Sequence, residues 1–128
     1  MEKRHVLKIK GKEFPLVFSL GTLERMEEMI EGFSLTNVDE ILATTKGLLD
    51  IMFLLAEQGA IAEGRKLEED RAWFGAHAPA SRQWIIDAHS VIVDALLYGM
   101  QMETDKEDPN EEVDVVLEEL KKKDEKTN

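Results

Sequence analysis

The chain contains no cysteine. It therefore has no disulfide framework, no thiolate nucleophile and no cysteine-based zinc site, which fits a reducing compartment. Histidine is also scarce: His5, His77 and His89 are the three present, and no HxH or HExxH spacing occurs among them. The first residues lack a continuous apolar stretch of the kind a signal peptide needs. The densest apolar run, residues 48–56, is interrupted by Asp50 and is far too short for a bilayer. These absences predict a soluble, cytoplasmic protein without a membrane span. Ser19, Ser34, Ser81 and Ser90 stand outside any GxSxG context. The Gly59 to Gly64 spacing is followed by Arg65-Lys66 rather than Lys-Ser/Thr, so it is no phosphate loop. No internal repeat is visible.

What is present bounds the fold. A length of 128 residues allows one domain plus a tail, and 43% hydrophobic residues suffice for a core. Six Met and five Phe suit a helical interior. The net charge is −11, of which residues 103–128, with eleven acids and five Lys, carry −6. Such a surface repels nucleic acid. The basic cluster Lys3, Arg4, Lys8, Lys10 and Lys12 lies on an alternating segment, where lysines serve as a solvated, edge-protecting face.

Residues 4–19 alternate, with His5, Leu7 and Ile9 on one face and Phe14, Leu16 and Phe18 on the facing one. Gly11 lies between them, so a β-hairpin is predicted, with the amide side of Pro15 towards an edge. A first helix over residues 22–31 follows, with Leu23, Met26 and Ile30 inward and Gly32 as its stop. A single long helix over 38–58 is expected next, capped by Thr36 or Asn37 and ended by Gly59. Its second half is apolar on every side, including Ile51, Phe53 and Leu54, so either the domain wraps it or two copies share it. A short charged helix over 65–74 and a last body helix over 79–102 complete the body, with Trp73 and Trp84 as clamps between helices. The last helix is expected to start at Pro79 or Ser81 and to turn Ile85, Ala88, His89, Ile92, Val93, Leu96 and Met100 inward. The predicted fold is mainly α with an N-terminal β-hairpin (α+β): a small helical bundle over residues 1–102 and a flexible acidic tail over 103–128. In the tail, Val113, Val116, Leu117 and Leu120 recur at i, i+3, i+4, i+7. That stripe is too narrow for a core of its own, so it docks on the body or awaits a partner, with mobility expected until one binds.

No catalytic constellation emerges. Glu27-Glu28 and Glu68-Glu69-Asp70 lie in charge-rich stretches and read as solvated faces rather than acid–base pairs. His89 is two residues from Asp87 and poorly aligned with Asp94, so it reads as a core-edge imidazole bonded to backbone rather than a metal ligand. No enzyme activity, cofactor or metal is expected.

The order of parts carries a resemblance. A short hairpin leads into Gly21-Thr22-Leu23-Glu24-Arg25-Met26-Glu27-Glu28-Met29-Ile30, then Gly32, then a long helix beginning near Val38-Asp39-Glu40-Ile41-Leu42. This arrangement, over about residues 5–100, resembles the tail assembly chaperones of long-tailed phages and prophages of Gram-positive bacteria. The resemblance implies binding of the tape measure protein, a long apolar helical chain, before the tail tube forms around it. It also implies a second, longer product made by ribosomal frameshifting, which would recruit tail tube protein. Lys121-Lys122-Lys123 is compatible with a slippery A-rich tract in the gene, and equally with lysines at a helix C-terminus. Acidic charge that keeps a complex soluble and a Met-rich surface suit such a role. The expected client contacts are Ile51, Phe53 and Leu54 together with Val113, Val116, Leu117 and Leu120. Self-association is expected through the hairpin edges or residues 48–55. The rival expectation is a regulatory or adaptor module, antitoxin-like, whose tail helix folds on a single protein partner.

Overall fold

The computed structural model describes residues 5–100. They form a mainly helical structure with an N-terminal two-stranded antiparallel hairpin. Strands β1 (Val6–Ile9) and β2 (Lys12–Pro15) pair in the register Val6 with Pro15, Leu7 with Phe14 and Ile9 with Lys12. The turn between them is two residues long, and both take positive φ, 55° at Lys10 and 76° at Gly11. That is the mirror-image turn whose twist matches the strands, and Gly11 enters it without strain. His5, Leu7, Ile9, Phe14, Leu16 and Phe18 are all buried, as the alternation predicts. The Leu16 N–H donates to the His5 carbonyl at 2.7 Å, while the Val17 N–H points the other way, to the Leu55 carbonyl at 3.2 Å. The same alternation turns the Pro15 nitrogen away from β1, to the edge where no donor is needed.

Helix α1 (Leu20–Met29) starts two residues before the predicted boundary because Ser19, not Gly21-Thr22, caps it. The Ser19 N–H donates to Thr22 Oγ1 at 3.1 Å, and that hydroxyl donates on to the Val17 carbonyl at 2.8 Å. Thr22 thus ties the helix start to the end of the hairpin strand and is wholly buried. A short 3₁₀ turn (Leu35–Asn37) then leads into α2 (Val38–Leu42).

The single long helix expected over 38–58 is two helices, α2 and α3 (Thr45–Ala62). Thr44 makes the break: its Oγ1 accepts from the Gly47 N–H at 3.0 Å and donates to the Ile41 carbonyl at 3.0 Å, so it caps α3 while terminating α2. A β-carbon at Gly47 would overlap the Ile41 carbonyl, so the fold-back of α3 on α2 depends on glycine there. Gly59 does not end α3. It lies inside the helix, buried where the Pro15 carbonyl comes against its α-carbon, and a β-carbon would overlap that oxygen. The stop is Gly64, at φ 81°. There the Arg65 N–H reaches the Ala60 carbonyl and the Gly64 N–H the Ile61 carbonyl, the paired bonds of a left-handed helix end.

Helix α4 (Arg71–His77) begins later than predicted, after Asp70, whose carboxylate accepts from the Trp73 N–H at 2.8 Å. Helix α5 (Arg82–Met100) starts after Ser81, which accepts from the Trp84 N–H at 3.2 Å; Pro79 stays outside it.

The core is built around α3. Leu48, Ile51, Met52, Leu54, Leu55, Ala56 and Ala60 are buried against the hairpin, α1, α2 and α4. An aromatic cluster closes one end: Phe74 lies 4.9 Å from Phe14 and 5.9 Å from Phe53, and Trp73 lies 5.5 Å from Phe14. Trp73 therefore clamps α4 to the hairpin rather than to the neighbouring helix. Arg25 of α1 makes a two-pronged bond to Glu57 of α3, at 2.9 and 3.2 Å, which holds the two helices in register.

Candidate interaction surface

Chemistry at a site needs groups that are desolvated and poorly satisfied by the fold itself. Among the described residues the one buried acid is Asp50, on α3. Its carboxylate accepts from Arg71 Nε at 2.7 Å and Lys46 Nζ at 2.8 Å. Burial pushes its pKa up, but the hydrogen bonds from Lys46 and Arg71 outweigh that, and the group stays ionised below the ordinary carboxylate range. Asp50 is thus a link between α3 and α4, not an acid–base group. Glu69 is likewise held low, chiefly by the Lys12 ammonium at 2.7 Å. Glu27, Glu28 and Glu68 are exposed, as expected of a solvated face. Among the described residues no buried side-chain polar atom lacks a partner, and no group of three or more acids and histidines could hold a metal.

The histidines are separated. His5 is buried with its ring 5.3 Å from Tyr98. His77 stacks on Trp73 at 4.5 Å, and its Nδ1 donates to the Trp73 carbonyl at 2.9 Å. His89, read from sequence as a core-edge imidazole, is exposed on α5. A depression of about 520 Å³ is lined by Lys12, Glu13, Phe14, Arg65, Lys66, Glu68 and Glu69. Its charges are of both signs, and Lys12 is already engaged with Glu69. Such a surface has no preference for an anion or a cation.

The expected client contacts fall in two groups. Ile51 and Leu54 have 0% exposure, and Phe53 is half-buried against Phe74, so the body itself wraps the apolar-all-round helix. Val113, Val116, Leu117 and Leu120 lie outside the described residues. Of the routes expected for self-association, the outer edge of β2 meets α3 at Leu55 and Gly59, and residues 48–55 are largely core.

The open surface is on α5. Its buried row is Ala88, Ile92, Ala95 and Leu96. Close approach continues to Gly99, where a β-carbon would overlap the Phe18 carbonyl. Three residues expected inward, Ile85, His89 and Met100, are instead exposed. The small side chains of Ala88 and Ala95 and the bare Gly99 let the helix sit close on that side, which turns the bulkier row outward. Ile86 (50% exposed), Leu97 (48%) and Met100 (48%) are open, with Val93 half-buried between them. The spacing 86, 93, 97, 100 is one helical stripe beside the buried row, with Val93 packed partly against the core. Leu20, at the start of α1, is 83% exposed. The signal was in the sequence: α5 carries more large apolar residues than one face can hold. The pattern alone does not say which row the body takes.

Comparison of the chain with protein families, curated proteins and solved structures finds no match.

Proposed function

We propose that this protein is a non-catalytic helical binding module that holds an apolar helical segment of a client protein against the outer face of α5. The observation that carries this reading is that face: a stripe of large apolar side chains on a helix whose inner side is already packed. Arg25–Glu57 and Arg71–Asp50 link helices of the body. No described helix is long and apolar enough to cross a membrane.

The client proposed is the tape measure protein of a long-tailed phage, with tail tube protein as a second partner of any longer product. The support is the resemblance in the order of parts: the hairpin and α1 occur in that order, while the long helix of the resemblance is divided into α2, which opens at Val38, and α3. A long apolar helical chain is also the kind of ligand an exposed helical stripe recognises. The experiment is co-expression with a tape measure protein of a long-tailed phage. A soluble complex is expected, and Leu97→Glu is expected to abolish it while leaving the melting temperature unchanged. If a single regulatory protein is captured instead, and the tape measure protein stays insoluble, the adaptor reading replaces this one.

A further inference from the structure

We infer that the acidic segment 103–112, which follows α5, docks on the basic outer face of the hairpin of its own chain. The reading of α5 as a client face plays no part in this. Three observations carry it. The first is where α5 ends. The Tyr98 ring lies 5.3 Å from the ring of His5, and a β-carbon at Gly99 would overlap the Phe18 carbonyl. The chain beyond Met100 therefore leaves the body beside the start of β1. The second is charge. Residues 2–13 hold Lys3, Arg4, Lys8, Lys10 and Lys12 against two acids, a net +3. Residues 14–102 carry −8, so an acidic segment is repelled by the rest of the body and attracted at the hairpin. The acidic charge is also concentrated next to the body: residues 103–112 carry −5 of the −6 of residues 103–128. The third is exposure and reach. Alternation buries Leu7 and Ile9 and leaves Lys8 and Lys10 exposed on the other face. Lys8 meets Glu13 at 3.6 Å, with side chains 73% and 61% exposed, an open pair that a further carboxylate can join. Lys12 is taken by Glu69 and supplies field rather than contact. From His5 to the turn the face runs about 20 Å, at about 3.4 Å per residue. Ten extended residues reach about 33 Å, enough to follow it. The tether starts beside the face, so an effective concentration of order millimolar suffices for a contact that is weak between separate chains.

The test uses the full 128-residue chain. Because it has no cysteine, Asn110→Cys introduces a single thiol for a nitroxide label without changing the charge. At low salt the amide NMR signals of Lys8, Lys10 and Gly11 should lose intensity to the label. In about 0.5 M salt, where the screening length falls to about 4 Å, they should recover. Reversing the hairpin charges, Lys8→Glu with Lys10→Glu, should also restore them. Should that pair disturb the hairpin, Glu107→Lys with Asp108→Lys makes the same test from outside the body. Combining all four changes should bring the loss back. Signal loss that ignores both salt and charge reversal is the chance proximity of a tethered chain and overturns the inference. Loss centred on Ile86 and Leu97 instead places the segment on α5 and overturns it as well. A mixture of labelled, isotopically silent chain with unlabelled, isotope-enriched chain tests for exchange between copies. Loss at Lys8 and Lys10 in that mixture at low concentration means that the acids come from a second copy, which overturns docking within one chain.

Discussion

Asp50 is where a single residue has most influence on the body. Its carboxylate joins Lys46 one turn away and Arg71 on the next helix, both within 2.8 Å. Removing a charge from such a group leaves its partners without a counter-charge. Asp50→Asn is expected to lower stability at neutral pH by about 1–3 kcal/mol. The pH dependence follows from the direction of the shift. The folded-state pKa is below the unfolded one, so the contribution is present above the unfolded value, about 3.9. It is lost as pH falls through the lower, folded value. Urea unfolding of both proteins at several pH values checks this. The gap between them should be full near neutrality and shrink in acid; a gap that widens in acid would contradict the assignment. Sequence alone marked Asp50 only as an interruption in an apolar run. Its partner Arg71 is 21 residues away, and nothing in a one-dimensional pattern pairs them.

At the scale of elements, the junction between the hairpin and α3 rests on Gly59. The Pro15 carbonyl occupies the space that any side chain at Gly59 would need. Gly59→Ala should gain helix propensity, about 1 kcal/mol, and lose more through the forced separation of hairpin and helix. A net destabilisation of about 2 kcal/mol, read as a lower thermal midpoint, is expected. The hairpin turn points the opposite way. Lys10 sits at φ 55° in a turn that favours Asn-Gly. Lys10→Asn should relieve part of the cost of a left-handed conformation and stabilise by about 0.5 kcal/mol, measurable in the same melts. The alternation of residues 4–19 showed the hairpin and its buried face directly, because a strand buries every second residue whatever lies beneath. The break between α2 and α3 was hidden because residues 38–58 keep a helical apolar period across it. Only the local competition of the Thr44 hydroxyl for backbone groups divides them.

For the molecule as a whole, burial separates residues that hold the fold from residues that meet a partner. Leu54 has 0% exposure and Leu97 has 48%. Leu54→Ala should cost about 2–5 kcal/mol and reduce client binding only by unfolding the body. Leu97→Glu should leave the melt unchanged and remove client capture. Melting curves run beside a capture assay distinguish the two. Equal destabilisation by both changes would place α5 in the core and close the proposed surface.

By itself the sequence determined the class of this protein: a cysteine-free, acidic, mainly helical body with an N-terminal hairpin and a compositionally distinct tail. These properties follow from composition and from local period, which are the same in any tertiary context. It also identified α3 as central, since a helix apolar on all sides must be enclosed. What encloses it was decided only by the tertiary structure. The hairpin, α1, α2 and α4 are enough to wrap α3, so Ile51 and Leu54 are interior and the surplus apolar surface falls on α5. There two apolar rows compete for one body. Ala88, Ile92, Ala95 and Leu96 take the inner side, with the closest approach, to the Phe18 carbonyl, at Gly99, and Ile86, Leu97 and Met100 are left facing outward.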